Sequence, residues 1–492
     1  MKLRPFPAVA GACALGLLAM PGAFAEAPEP LKLAALLTEA EVSNPEILAA
    51  RARHEAAGRV PSQMEALPDP TASVSYTNDT LSDLTLGSSE FTTLAFAWTQ
   101  EIPYPGKRRL AGDVARAEND VSGQLLEAAR RRVRAEVKKT YVELLRLDRT
   151  ATILEESRKL LVSFLESARS RYEAGEGILE NVLKAQTEIS KLDAELTTTA
   201  QERRSAAVQL SMLLGRRNDT PFGPALDAPR LEALDSVALE ASARERSPDL
   251  LALRASERRE ESRLSLAHRN LKPDLIWGAS YMNRGGLDPM VMGMFGVRLP
   301  LYRKQKQAEA IVQSQYALEA ARQDRMSDEL RVLSEVRDLC ARAERARALT
   351  QLYAEGILPQ AQSALDSAAA AFASGKTEFV TVIGDFLSVL NYEREHERQR
   401  ADQATALAAL EPLTGTELVR PPMEEPVTGT ELLQPPPEPL ADAEPLDLSP
   451  QGLADCMPLH PPLQPPARWR LVRPPRGGSV ASGGGERGGP HE

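Results

Sequence analysis

Four short segments of the chain alternate between apolar and polar side chains with a period of two. They span residues 71–79, 92–100, 274–283 and 291–299. Such alternation is typical of β-strands with one apolar face, and a tilted strand of about 9–11 residues is long enough to cross a bilayer. An antiparallel sheet in water with one buried face alternates in the same way. The pattern therefore predicts four strands and leaves their surroundings open.

Outside these segments, apolar residues recur mostly at spacings of three, four and seven over very long runs. The first run, 107–172, contains no proline, and about 65 helical residues would make roughly 100 Å of helix. Gly175 and Gly375 follow the two long runs, where glycine fits the left-handed cap that ends a helix. We therefore expect two helical hairpins, at 107–215 and 304–413, whose turns lie at one level far from the strands.

The same order of elements occurs twice along the chain. Each copy begins with a cap residue followed by proline, Asn-Pro at 44–45 and Ser-Pro at 247–248, which is a helix-start signal. A strand pair and a helical hairpin follow in each copy, so we place the first repeat at 26–230 and the second at 231–415. The copies differ at Pro359, which occurs only in the second long helix and predicts a kink there.

Four strands are too few to close a membrane barrel. Unpaired backbone groups at a sheet edge cost several kcal/mol each in hydrocarbon, and outer-membrane barrels have about eight strands or more. A membrane sheet of this chain would therefore have to pool its strands with copies of itself, eight in a dimer or twelve in a trimer. The predicted fold class is mainly α with a membrane β-barrel: long coiled-coil-like helical hairpins and four β-strands per chain.

The N-terminal residues have the pattern of an export signal. Positive residues precede a short apolar core, and Ala-Phe-Ala at 23–25 supplies a cleavage site, so we expect residues 1–25 to be removed. Cys13 could be a lipidation site, although only a short apolar segment precedes it. After the signal, no stretch of about 18 apolar residues predicts a membrane helix. Export without a membrane helix favours membrane strands over a sheet in water.

Composition and charge exclude several classes of function. Aromatic residues make up 4% of the chain, as in long helical assemblies, and a net charge of −10 gives no reason to expect a nucleic-acid partner. The histidines are scattered, and no zinc-protease, phosphate-loop or nucleophile-elbow motif is present. We therefore expect no enzyme, no cofactor and no metal centre. Residues 416–492 are rich in proline and glycine, which predicts a disordered tail.

A group of methionines surrounds the second strand pair. Its members are Met282, Met290, Met292 and Met294. Thioether sulfur is a soft ligand that suits Cu(I) or Ag(I), so one interpretation is a relay for soft metal ions. The other interpretation is that flexible methionines fill a strand face or a loop.

Four motifs follow one another in the first copy. They are Gln-Glu-Ile-Pro-Tyr-Pro-Gly-Lys-Arg at 100–108, Arg-Tyr-x-x-Gly at 171–175, Asn-Val-Leu-Lys-Ala-Gln at 181–186 and Leu-Leu-Gly at 213–215. In this order, the motifs resemble those of the TolC-like outer membrane efflux family. The Pro-Gly-Lys-Arg element is most similar to the heavy-metal-efflux branch of that family. The resemblance spans residues 31–415.

The resemblance implies a homotrimer in the outer membrane that extends into the periplasm. A twelve-stranded β-barrel, surrounded by outer membrane lipid, would continue into a twelve-helix α-barrel. In that family, the channel is the passive exit duct of a tripartite pump for small molecules or metal ions. Its implied partners are a periplasmic adaptor (membrane fusion protein) and an inner-membrane transporter of the resistance-nodulation-division (RND) type.

The resemblance also assigns the hairpin turns to the docking of the adaptor. The residues at these turns are Tyr172 and Gly175 in the first copy and Phe372 and Gly375 in the second. An adaptor with a helical hairpin of its own would pack against them helix to helix.

A periplasmic gate is the third implied feature. The family closes its channel with acidic residues just after the second glycine turn, but the matching positions here, near Thr381 and Gly384, are not acidic. Asp385 is the nearest acidic substitute, and the first copy offers Asn181 and Lys184. An acidic ring is therefore replaced, in this sequence, by a mixed set of candidate gate residues.

Two other functions stay open at this point. The same architecture also serves as the outer membrane outlet of a type I protein secretion system. A soluble periplasmic coiled-coil adaptor is an alternative of another class. It would require a lipoyl-like or β-barrel domain between its helices, and the sequence shows none.

Overall fold

The computed structural model describes residues 29–79, 85–86, 89–216 and 221–422. The predicted export signal and the predicted tail beyond residue 422 lie outside these ranges. The α-helices are α1 (Leu33–Ser43), α2 (Pro45–Ala57), α3 (Val60–Glu65), α4 (Lys107–Glu173), α5 (Leu179–Leu213), α6 (Ser236–Arg246), α7 (Pro248–Arg269), α8 (Ala308–Leu352), α9 (Leu358–Ala373) and α10 (Phe379–Thr414). One π-helical turn, Arg303–Gln307, precedes α8, and a second, Tyr353–Ile357, joins α8 to α9.

Four strands form one antiparallel sheet at the beginning of the long helices. The strands of the chain are β1 (Thr71–Thr77), β2 (Thr93–Ile102), β3 (Arg230–Leu231), β4 (Asp274–Arg284), β5 (Leu287–Arg298) and β6 (Val419–Arg420). The large sheet has the order β1-β2-β4-β5. β4 and β5 are longer than the predicted segments 274–283 and 291–299. The reason is that Gly285, at a φ of 64°, and Gly286 make a tight turn, so that strand pairing extends into residues that the predicted segments leave out.

The register of this sheet separates two chemically different faces, because residues directly opposite each other share a face. Pairs such as Val74–Phe96, Phe96–Tyr281 and Trp277–Phe295 put large apolar side chains on one face. The rings of Trp98 and Trp277 meet edge to face on it, with centroids 4.7 Å apart. The other face carries small, polar and thioether side chains, among them Ser73, Ser75, Ala95, Ala97, Gly278, Ser280, Met282, Met290, Met292 and Met294.

The first long helix, α4, contains 67 residues and is therefore about 100 Å long. It begins at Lys107, at the end of the sheet, and is buried on most of its sides between residues 126 and 147, while from 147 to 161 the buried side chains recur at spacings of three and four. Its main packing partners are α5, α7 and α10. None of the helices in the described ranges is both long and apolar enough to cross a membrane.

The second long helix is interrupted next to Pro359, where the sequence predicts a kink. It consists of α8, the π-helical turn Tyr353–Ile357 and α9. The N–H of Leu358 donates to the carbonyl of Tyr353, five residues earlier. Pro359 lies in the first turn of α9, where its missing N–H is tolerated. The interruption is therefore a widened turn immediately before the proline.

The Pro-Gly-Lys-Arg element joins the sheet to α4. One carboxylate oxygen of Asp274 accepts from Nζ of Lys107 at 2.8 Å and from the N–H of Tyr104 at 2.7 Å. Gly106 has a φ of 93°, and a Cβ at this position would lie 2.8 Å from the guanidinium group of Arg269. The element therefore ties the end of the first strand pair to the start of the second and fixes where α4 begins.

Residues 416–420 are ordered, although the composition of 416–492 predicts a disordered tail. Val419 is fully buried and pairs with Leu231 in the small antiparallel sheet of β3 and β6. The boundary of the tail predicted at 416 is therefore too early. The second copy continues past its last helix into a short strap along α4.

A buried lysine explains why the strap is held. Lys138 is fully buried, and its Nζ lies 2.8 Å from a carboxylate oxygen of Glu411 and 3.2 Å from Glu417. The N–H groups of Leu418 and Val419 also donate to Glu411. These contacts satisfy a buried charge that would otherwise be strongly unfavourable.

Candidate functional site

The turns of the two helical hairpins lie side by side at the end opposite the sheet. A hydrophobic cluster from α4, α5, α9 and α10, which we call the tip core, holds them together. Its buried members are Leu154, Leu161, Ala168, Val182, Ala185, Leu192, Leu365, Ala368, Phe379, Val382, Ile383, Phe386, Val389 and Leu390. Because the tip core draws on both copies, the two turns lie at the same level, as the sequence leads us to expect.

Both turns use the same backbone geometry. Gly175 has a φ of 78° and Gly375 a φ of 72°. In the first turn, the N–H of Glu176 donates to the carbonyl of Arg171, and in the second the N–H of Lys376 donates to that of Ala371. This is the pattern of a helix that ends in a left-handed residue, for which glycine has no Cβ penalty.

A single arginine connects the two turns. The Arg171 Nη1 atom donates to the backbone carbonyl of Phe372, and its Cζ atom lies 4.8 Å from the centroid of the Phe372 ring. That ring lies 5.3 Å from the ring of Phe379, which is fully buried. A cation is favourable here because the last carbonyls of α9 carry partial negative charge. We call the contact between Arg171 and Phe372 the tip clasp.

The predicted docking residues lie at these turns, but not all of them face each other. Phe372 and Gly375 line a cleft between the two turns, together with Arg171 and Asn181. Tyr172 is not among the described residues that line this cleft, and it is exposed. The exposed apolar side chains nearby are Tyr172, Ile178, Leu179 and Leu183 on the first hairpin and Val380 on the second.

The predicted gate residues lie in the first two turns of α5 and α10. Asn181 lines the cleft, whereas the described residues around it do not include Lys184, Thr381 or Asp385. Lys184 instead binds Glu180 one turn earlier at 2.8 Å, and this hydrogen bond lowers the pKa of Glu180. Thr381 is exposed and Asp385 is half-buried. A single chain therefore does not gather the four residues into one charged cluster.

The methionines form a stripe on the face of the sheet that lacks aromatic side chains. Met282 is the cross-strand partner of Met290, while Met292 and Met294 follow at every second position of β5. Within the described residues, no group of histidine, cysteine, aspartate or glutamate has the arrangement of a metal site.

Sequence reasoning missed the role of Arg171. The Arg-Tyr-x-x-Gly motif contains it, but the aligned position in the second copy is Ala371, so the repeat alone did not mark it as functional. Its partner, Phe372, lies about two hundred residues away in sequence. Only the packing of one hairpin on the other brings them together.

Comparison with known proteins agrees with the duplicated architecture. The sequence profile of the family described as outer membrane efflux protein matches residues 36–216 and again residues 239–416. Together, the two matches cover well over half of the chain. No curated protein shows significant sequence similarity to it.

Several solved structures share the fold. VceC from Vibrio cholerae, an outer membrane protein, has a TM-score of 0.67 and 19% identity over 78% of this chain and 96% of its own. The outer membrane channel CmeC from Campylobacter jejuni has a TM-score of 0.66 and 14% identity over 84% and 94%. CusC has a TM-score of 0.67 and 13% identity over 82% and 96%.

With sequence identities of 13% to 19%, the structural similarity shows a shared fold. It confirms the predicted class, mainly helical with few antiparallel strands, in the α-barrel and β-barrel architecture of TolC-like channels. CusC is one similar structure among several, so the heavy-metal branch stays a prediction. Matched by the family profile over both repeats, the chain belongs to the outer membrane efflux protein family.

Proposed function

We propose that this protein is the passive outer membrane exit channel of a tripartite efflux system. Three copies would form a duct through the outer membrane and the periplasm for small molecules or metal ions. The observation that carries the proposal is the sheet, which has one apolar aromatic face, one small and polar face, and two open edges.

The sheet supports the membrane end of this proposal. β1 and β5 are its edge strands, and an open edge in hydrocarbon would leave backbone groups unpaired. Three copies would pair β5 of one chain with β1 of the next and give twelve strands. The apolar face, where Phe295 is 90% exposed in the single chain, would then meet lipid. The opposite face would meet a water-filled lumen.

The hairpins support the periplasmic end. Their turns present exposed apolar side chains, with Leu179 and Leu183 one helical turn apart, and such a pair suits helix-to-helix packing. The partner that fits is a periplasmic adaptor with a helical hairpin. The adaptor would in turn join an RND-type inner-membrane transporter, which supplies the energy.

Site-directed cross-linking tests this arrangement in cells. A photo-reactive residue at Leu179 is expected to cross-link to a periplasmic adaptor protein. The matched control is Leu301, which is 78% exposed at the sheet end of the chain and should give no adaptor cross-link. Cross-links from Leu301 and none from Leu179 would contradict the docking proposal. Absence of the protein from outer membrane fractions would contradict the channel itself.

A further inference from the structure

The segment between β5 and α8 has three cationic side chains without a partner. Its residues 301–306, Leu-Tyr-Arg-Lys-Gln-Lys, are all exposed, and we call them the junction segment. Among the described residues, Arg303, Lys304 and Lys306 make no ion pair and no side-chain hydrogen bond. The sequence has no aspartate or glutamate from 289 to 308, although the net charge of the chain is −10. The junction segment is therefore a local concentration of uncompensated positive charge.

The first copy provides an internal comparison. When Ile-Pro at 102–103 is aligned on Leu-Pro at 299–300, Lys107 corresponds to Lys304. The Lys107 side chain is only 11% exposed, and its Nζ atom lies 2.8 Å from a carboxylate oxygen of Asp274. Lys304 is exposed and has no such partner among the described residues. The same position therefore makes an internal ion pair in the first copy and carries a free surface charge in the second.

An apolar stripe leads from the sheet into the junction segment. Phe295, Val297, Leu299 and Leu301 follow one another at every second position, and each is exposed. Tyr302, which is 73% exposed, follows directly after them. Because Phe295 belongs to the apolar face of the sheet, the stripe extends that face past the end of β5. Pairing of β5 with another copy would use the edge of the strand, in the plane of the sheet, and would leave this face open.

This order of side chains suits the boundary between hydrocarbon and water. Tyrosine is enriched at the level of lipid headgroups, and the stems of lysine and arginine lie along apolar surface while their charges stay in the polar layer. A guanidinium group binds phosphate through two parallel hydrogen bonds. The helical turn that leads into α8 begins at Arg303, and the first N–H groups of a helix also favour an anion. The junction segment therefore matches the chemistry of a phosphate group attached to apolar chains.

We propose that the junction segment binds anionic phospholipids. Leu301 contacts the acyl chains, Tyr302 lies at the level of the headgroups, and the three cations bind the phosphate groups. This inference rests on the function proposed above, which puts the sheet in the outer membrane and the start of α8 at its periplasmic boundary. Bound lipid would fix the height of the sheet in the bilayer through the second strand pair, because the corresponding lysine of the first pair is already neutralised.

A photo-reactive residue at Leu301 tests the lipid that this segment selects. The full-length protein is reconstituted into vesicles of phosphatidylcholine that contain a minor share of phosphatidylglycerol, and mass spectrometry identifies the cross-linked lipids. We expect phosphatidylglycerol to be enriched about threefold or more over its share of the bilayer, because each cation near the surface attracts anionic lipid. The enrichment should decrease as salt is added, since salt screens these charges.

A charge-removing variant and a matched control test which cations are responsible. The variant replaces the three cations of the junction segment: Arg303→Gln, Lys304→Gln and Lys306→Gln. It should bring the share of phosphatidylglycerol at Leu301 down to that of the bilayer. The control removes three exposed cations that lie on the helical hairpins and make no ion pair among the described residues: Lys159→Gln, Arg204→Gln and Lys376→Gln. It changes the net charge of the chain equally and should leave the enrichment unchanged.

The outcomes separate the lipid site from the proposed function. No enrichment in the unaltered protein, or an enrichment that the charge-removing variant retains, would overturn the site. Equal loss in the variant and the control would also overturn it, because net charge alone would then explain the preference. Cross-links from Leu301 to another copy of the chain instead of lipid would make the segment a subunit contact. If a photo-reactive residue at Phe295 also captures no lipid, the membrane placement of the sheet fails, and the proposed function fails with it.

Discussion

The guanidinium group of Arg171 lies 4.8 Å from the ring centroid of Phe372 and donates to the backbone carbonyl of the same residue. Arg171 belongs to the last turn of α4 and Phe372 to the last turn of α9. One side chain therefore joins the two repeats at the point where the chain reverses direction in both. The tip core and the tip clasp together make the two hairpin turns one structural unit.

Arg171→Gln is expected to loosen this unit. The variant loses a cation–π contact and a charge-assisted hydrogen bond, together worth about 1–3 kcal/mol. Amides in 369–380 should then exchange about five- to tenfold faster. Arg169→Gln is the matched control, because Arg169 is 71% exposed and pairs only with Glu173 on its own helix among the described contacts. Equal exchange in the two variants would show that the clasp contributes nothing.

Lys138→Met should destabilise the middle of the molecule strongly. Removing one partner from a buried ion pair costs about 3–5 kcal/mol, since the remaining charge is left without compensation. The unfolding temperature of the purified protein should fall, and proteolysis should reach the strap at 416–420. Adding Glu411→Gln to Lys138→Met should recover part of the loss. Lys139→Met, which removes a half-exposed pair with Glu136, should have little effect, and a similar fall would contradict this account.

The strands and the long first helix were predictable from sequence because their patterns are local. Alternation marks β1 and β2, and a proline-free stripe marks α4 from Lys107 onwards. The strap was missed because Lys138, which binds Glu417 in it, lies 279 residues earlier in the chain. The tight turn at Gly285 was missed because alternation between apolar and polar residues is interrupted by Pro289, so the predicted segments stop at 283 and resume at 291. The π-turn was unexpected because a proline by itself predicts only a kink.

Acid should destabilise the protein through Glu397. Burial alone would raise the pKa of Glu397, but its contacts with His396, Arg400 and Arg149 outweigh burial and lower it to about 2 from an ordinary 4.5. The folded state therefore binds fewer protons than the unfolded state between these values. The stability that Glu397 contributes is fully present above pH 4.5 and is lost as pH falls towards 2. Glu397→Gln should lower the unfolding temperature at pH 7 and flatten its dependence on pH in this window.

The pKa of Glu393, which lies one turn away on the same helix, is shifted in the opposite direction. Burial, assisted by the charge of Glu156, raises the pKa of Glu393, so its ionised form is unfavourable in the folded state. Glu393→Gln should therefore leave the unfolding temperature unchanged or raise it at pH 7. A loss of stability as large as that of Glu397→Gln would contradict the conclusion that the ionised form of Glu393 is unfavourable in the folded state.

The central claim, a channel whose sheet has one face towards lipid and the other towards water, is tested most directly by thiol labelling in intact outer membranes. A single cysteine replaces either Phe295 on the apolar face or Met292 on the opposite face. The parent protein carries Cys340→Ala and Cys456→Ser, and its labelling gives the background. With a membrane-impermeant maleimide, we expect Met292→Cys to be labelled at least tenfold faster than Phe295→Cys. Equal labelling of both positions, or faster labelling of Phe295→Cys, would contradict the account.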